Sequence, residues 1–181
     1  MGPRGLPLLA ITFVLAFASV GYAQTSVTLA DTSQTTTLTA NVSEQARVTV
    51  PAGVSFNVNN VAASTAASAA TVTVSSIVLA TATKQFKVSL QANAASFTPP
   101  VGGALTWAAS DVTWNAAAWT NATGSLGTLS NAAYNTVATC AADAADCSTG
   151  ALVFTLGAKS AVKRAGSHTL VVTWKFESIG S

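Results

Sequence analysis

The sequence predicts an all-β fold, an antiparallel sandwich of about seven to ten short strands. Three observations carry the prediction. Apolar and polar residues alternate with period two along most of the chain. Turn-forming residues separate the alternating runs. No stretch places an apolar stripe at helical spacing over three turns.

The first residues follow a different logic. Arg4 is the only charge before Asp31, an apolar run spans 6–20, and Gly21, Tyr22 and Ala23 precede Gln24. That layout reads as a signal peptide, 1–23, cleaved to leave a single domain over 24–181. An uncleaved anchor is the other reading. The run is short for a membrane span, which needs about 20 residues. No second apolar span follows, so the mature chain is expected to carry none. The expected location is secreted, at the extracellular surface or in the periplasm.

Within 24–181 the alternating runs come in order. Val27 and Leu29 share one side of 25–30, and Leu38, Ala40 and Val42 share one side of the next run. Val48 and Val50 precede Pro51, which ends a strand or holds it at an edge. Val54, Phe56 and Val58 alternate next. Val72 and Val74 are followed by Ile77 and Leu79, and this change of phase at Ser75-Ser76 reads as a β-bulge. The alanine-rich stretch 63–70 lacks an apolar stripe and reads as a loop or an irregular turn. The clearest strand covers 84–91, with Phe86, Val88 and Leu90 on one face and Lys87, Ser89 and Gln91 on the other. The breaker-rich 97–103 reads as a long loop. Leu152, Phe154 and Leu156 form a further inward set, and Leu170, Val172, Trp174 and Phe176 form the last, with Trp174 expected in the core. Strands of this number and spacing predict the immunoglobulin-like form of the sandwich.

Only 8% of residues are charged and the net charge is +2, so nothing favours nucleic acid or an anionic membrane as partner. The two cysteines, Cys140 and Cys147, read as a disulfide in an exported chain, a staple on a surface loop between strands. Asp143 and Asp146 lie between them. Calcium wants six to eight oxygens, more than this loop offers, so a solvated acidic loop is expected and no metal is assigned.

Catalysis needs convergent groups. The one histidine, His168, has no carboxylate or cysteine clustered near it in sequence, and the acidic residues are scattered. No catalytic residue, cofactor or enzymatic activity is predicted. Trp107, Trp114 and Trp119 lie close together and leave two readings open: bulk for a core otherwise built from small residues, or an aromatic platform that stacks on sugar rings. Trp119 is the best candidate for exposure. Asn41 and Asn121 each begin an N-x-S/T triplet, a pattern that chance supplies often in a chain this rich in Asn, Ser and Thr.

The run T-x-x-L-T-A-N-V over 35–42, followed by R-V-T-V, resembles the N-terminal region of chaperone–usher-type fimbrial major subunits. The ending A-G-S-H-T-L-V-V-T-W-K-F-E-S over 165–178 is similar to the last hairpin of such subunits and of related exported bacterial proteins. The resemblance covers the first and last quarters of the mature chain. It implies polymerisation by strand exchange, in which a neighbour's N-terminal extension adds a missing strand. The donor it implies is 25–30, with Val27 and Leu29 inserting and an extension to Leu38 conceivable. The competing reading makes 25–42 the first strand or two of the chain's own sheet. The expected function is thus a secreted or cell-surface structural or adhesive subunit, associating with itself or with other envelope proteins. A glycan-binding module built on the clustered tryptophans is the alternative.

Overall fold

A computed structural model describes residues 26–30 and 32–180. The expected signal peptide, Gln24, Thr25 and Asp31 lie outside the described residues. The chain divides into two units, Met1–Ala40 and Asn41–Ser181.

In the first unit, the described residues form no strand and all are exposed. The strands expected around Val27 and Leu38 are therefore absent among the described residues. The second unit is all-β and antiparallel, and no α-helix occurs among the described residues. Its strands are β1 (Gln45–Thr49), β2 (Thr65–Ala66), β3 (Ala70–Val78), β4 (Gln85–Ala92), β5 (Val112–Trp114), β6 (Ala122–Gly124), β7 (Gly127–Thr128), β8 (Asn135–Cys140), β9 (Cys147–Leu152), β10 (Phe154–Leu156) and β11 (Val172–Ile179). One 3-10 turn, Ala109–Asp111, precedes β5. They form three sheets with orders β1-β3-β9, β2-β10-β5-β7 and β11-β4-β8-β6.

The third sheet follows the alternation with one departure: Ser89, expected on the face opposite Phe86, Val88 and Leu90, is wholly buried. β4 and β11 pair over eight residues without a register shift, from Gln85 opposite Ile179 to Ala92 opposite Val172. Phe86, Val88 and Leu90 point inward and are buried. Lys87 opposes Glu177 on the outer face, 3.1 Å apart. In the partner strand β8 the pairing skips Val137 between Ala138 and Thr136, so an extra residue bulges there. Val137 and Ala138 are consequently both buried.

The bulge expected at Ser75-Ser76 is present. Gln45 pairs with Val78 and Arg47 with Ser75, which leaves two residues of β3 facing Ala46 alone. Ser76 takes φ 52° to make the step. The inward set accordingly changes from Val72 and Val74 to the half-buried Ile77. A second bulge in β9, opposite Thr71, moves the inward phase from Cys147 and Thr149 to Leu152, Phe154 and Leu156.

The core gathers residues of all three sheets. Leu90, Leu152, Val72, Val74, Val88 and Val137 are its largest wholly buried apolar side chains. Burial of each contributes about 1.5–3 kcal/mol. The Cys140–Cys147 disulfide joins the end of β8 to the start of β9, and so the third sheet to the first. Its cysteines are 1% and 0% exposed. The bridge is thus a cross-link inside the core rather than the surface staple the spacing suggests: only the intervening loop is outside.

Two inward sets fall short of expectation. Val54, Phe56 and Val58 alternate and pack half-buried on the core, yet their segment forms no ladder with any described strand. On β11, Trp174 and Phe176 are half-buried and Val172 is exposed, so Trp174 lies at the margin of the core. Leu170 precedes the strand rather than belonging to it.

Candidate assembly site

Leu29 and Leu38 are the most exposed large apolar groups among the described residues. Leu29 is 94% exposed and Leu38 91%. Val27 and, at the start of the second unit, Val42 are exposed as well. Leu38 and Val42 keep the period-two phase of a strand while forming none. Their alternate apolar side chains remain uncovered.

Where the second unit begins, Glu44 is held in place. Its carboxylate accepts from the Lys84 ammonium at 2.9 Å, from the Ala80 N–H at 2.8 Å and from the Ser178 hydroxyl at 3.3 Å. Lys84, then the Ala80 N–H, hold the Glu44 carboxyl below its ordinary range. These contacts tie the entry of β1 to the turn before β4 and to the end of β11.

β11 is an edge strand: β4 pairs with one side of it, and no described strand pairs with the other. It offers eight residues of main chain in an unbroken register. On its outer face Glu177 pairs with both Lys175 and Lys87. Lys175 and then Lys87 hold Glu177 below the usual carboxylate range. Charges on an exposed strand face discourage indiscriminate pairing, while the half-buried Trp174 and Phe176 leave apolar surface on the inner face.

The three clustered tryptophans do not meet one another. Trp107 is 4% exposed, donates its indole N–H to the Gly157 carbonyl at 2.9 Å, and meets His168 edge-on. Trp114 is 3% exposed, donates to the Ser125 carbonyl at 3.0 Å and meets Phe154 at 6.3 Å. Its ring lies so close over Gly127 that a β-carbon there would come within 2.3 Å of it. Neither ring has a face free for a sugar. Trp119 is half-buried against Gly124, and its buried indole nitrogen has no partner. The aromatic platform is thereby reduced to one partly covered ring.

His168 makes two hydrogen bonds, a long-range one between Nδ1 and the Thr106 hydroxyl at 2.7 Å and a local one between Nε2 and the Arg164 carbonyl at 3.1 Å. These fasten 164–168 to the strand-free stretch before the 3-10 turn. Asp111 accepts from Lys159 at 2.8 Å and from the Ala108 N–H at 2.8 Å. Burial pushes its carboxyl up, but those two partners outweigh it and the net shift is downward. In the disulfide loop, Asp146 accepts from the Asn121 side chain at 3.1 Å, and Asp143 sits at φ 57°. Among the described residues no group of three or more His, Cys, Asp or Glu side chains converges as a metal site.

Comparison with protein-family models, with curated proteins and with solved structures finds no match to this chain.

Proposed function

We propose that this chain is an exported structural or adhesive subunit, an immunoglobulin-like β-sandwich that assembles through N-terminal strand exchange. The observation that carries the reading is the segment around Leu29 and Leu38: alternating, apolar, almost wholly exposed and without a partner strand. Sequence alternation of this kind suits a strand with one buried face, and such a face can be supplied by a neighbouring copy. The acceptor we assign is the open side of β11, where unpaired main chain runs beside Trp174 and Phe176. The unladdered 54–58 stretch, whose apolar residues already rest on the core, supports an unfinished sheet in the isolated copy. A core disulfide fits folding in an oxidising compartment, as export requires. In this reading the chain carries no catalysis; its role is mechanical linkage and surface display.

The test is size-exclusion chromatography with negative-stain microscopy on the exported chain and on its Leu29→Asp/Leu38→Asp variant. Oligomers or filaments in the first and monomers in the second are expected. Equal, stable monomers in both would remove strand exchange.

A further inference from the structure

Two long edges of the second unit are open, and their core faces are unfinished. β1 pairs with β3 on one side and with no described strand on the other, just as β11 pairs only with β4. Residues paired across a ladder share a face. Val48 stands opposite Val74, which is wholly buried, yet Val48 is 40% exposed. Val172 stands opposite Ala92, which is buried, yet Val172 is 38% exposed. The core thus runs out of cover at both edges. The other edge strands offer less: β2, β6 and β7 have two or three residues, and Thr120 bridges β9 at Ser148.

These two edges share one end and run opposite ways from it. Glu44, the residue before β1, accepts from the Ser178 hydroxyl near the end of β11. β1 runs away from that point and β11 runs toward it. Their sheets share one core, with Val72 and Val74 from the first and Phe86, Val88 and Leu90 from the third. Sheets packed face to face lie about 10 Å apart.

The N-terminal chain is likewise in two parts. Val27 and Leu29 fall at odd positions, and Leu38, Ala40 and Val42 at even ones. An unbroken strand from 27 to 42 would send Leu29 and Leu38 to opposite faces and bury one set only. Ala30 takes φ 71°, outside the extended region, and ends the first part. The stretch 31–37, D-T-S-Q-T-T-T, is polar throughout. A run of that length spans up to about 23 Å, enough to cross from one sheet to the other.

We propose that a neighbouring copy fills both edges: its 38–42 pairs with the open side of β11, its 26–30 with the open side of β1, and its 31–37 crosses between them. Leu38, Ala40 and Val42 then join Val172 and Trp174 on the core face, and Val27 and Leu29 join Val48. The polar residues between them face outward. The arms of a hairpin run opposite ways, as these two edges do, so both arms pair with their edges in the same sense. Arg47 stands opposite Ser75, on the face of β1 away from Val48, and lies clear of the inserted side chains. The inference rests on the assembly reading and adds to it a second acceptor edge and the division of the donor into two arms.

The experiment combines hydrogen exchange with sedimentation velocity on the exported chain, as wild type and with Leu29→Asp and Leu38→Asp made separately. Both substitutions lie outside the described strands, so the monomer's sheets are left as they are. In the assembled wild type, open-side amides of β1 and of β11 should both exchange about tenfold or more slowly than in the dilute monomer. Each variant should associate about tenfold or more weakly, because a leucine no longer gains cover. At a concentration where it assembles, Leu29→Asp should keep the slowing at β11 and lose it at β1. Leu38→Asp should keep it at β1 and lose it at β11, and Leu29→Ile should keep both. Slowing at β11 with β1 unchanged in the wild type would overturn the second arm and leave strand exchange standing. Loss of slowing at both edges together in Leu29→Asp, with the chain assembled, would overturn the division into arms. A wild type that slows at neither edge, or stays monomeric, would overturn this inference and strand exchange alike.

Discussion

Replacing both cysteines with alanine separates a bridge in the core from a bridge on the surface. The bridged residues are seven apart in sequence. Closing so short a loop in the unfolded chain contributes about 2.5 kcal/mol by the chain-entropy relation. A surface staple would lose only that. Here Cys140 and Cys147 are almost wholly buried between the first and third sheets, so alanine also leaves a void where two sulfurs packed. The cavity adds about 1–2 kcal/mol. Cys140→Ala/Cys147→Ala should therefore destabilise by about 4 kcal/mol, a large fraction of the 5–15 kcal/mol typical of a domain. Chemical reduction of the native sequence should cost less, about 2.5 kcal/mol, because the thiols still fill the space. Equilibrium urea unfolding of the three forms gives both numbers. Burial further predicts that a reductant acts slowly until denaturant opens the sheets. Equal stability of the reduced and alanine forms, or rapid reduction under native conditions, would refute the core placement.

Other outcomes follow from the same packing. Gly127→Ala drives a β-carbon into the Trp114 ring and should cost about 2 kcal/mol in urea unfolding, whereas an unchanged midpoint would show the ring free to move. Trp114→Phe should destabilise by about 1–2 kcal/mol more than Trp119→Phe, because it strands the Ser125 carbonyl while the Trp119 nitrogen has no partner to lose; equal losses would contradict this. The folded-state pKa values of Glu44, Asp111 and Glu177 are depressed, so the folded form binds fewer protons than the unfolded chain below the ordinary carboxylate range. Their contribution is present at neutral pH and is lost as pH falls below about 4, and a melting temperature that rises on acidification through that window would reverse the sign.

Much of this was legible in the chain. The alternation at Phe86, Val88 and Leu90 and at Leu152, Phe154 and Leu156 marks strands that are present and buried. The phase change at Ser75-Ser76 marks the β3 bulge. Alternation shows that a segment would have two unlike faces; it does not show that a partner strand exists, since pairing is a long-range property. That is why the runs around Val27, Leu38 and Phe56 read as strands and form none in the described residues. Spacing alone misplaced the disulfide, because whether two neighbouring cysteines lie in a loop or a core depends on the sheets that their strands join. The tryptophan cluster was ambiguous for a related reason: Trp107 and Trp114 differ from surface rings by the carbonyls of Gly157 and Ser125, which are distant or separate in sequence.

The account stands most directly on hydrogen exchange of the exported chain, compared between its dilute monomer and its assembled form. Assembly should slow the amides of 26–42 and those of the open side of β11 together, by the same factor, because each pairs with the other in a neighbouring copy. Amides around Leu29 and Leu38 that exchange as freely in the assembly as in the monomer would contradict it.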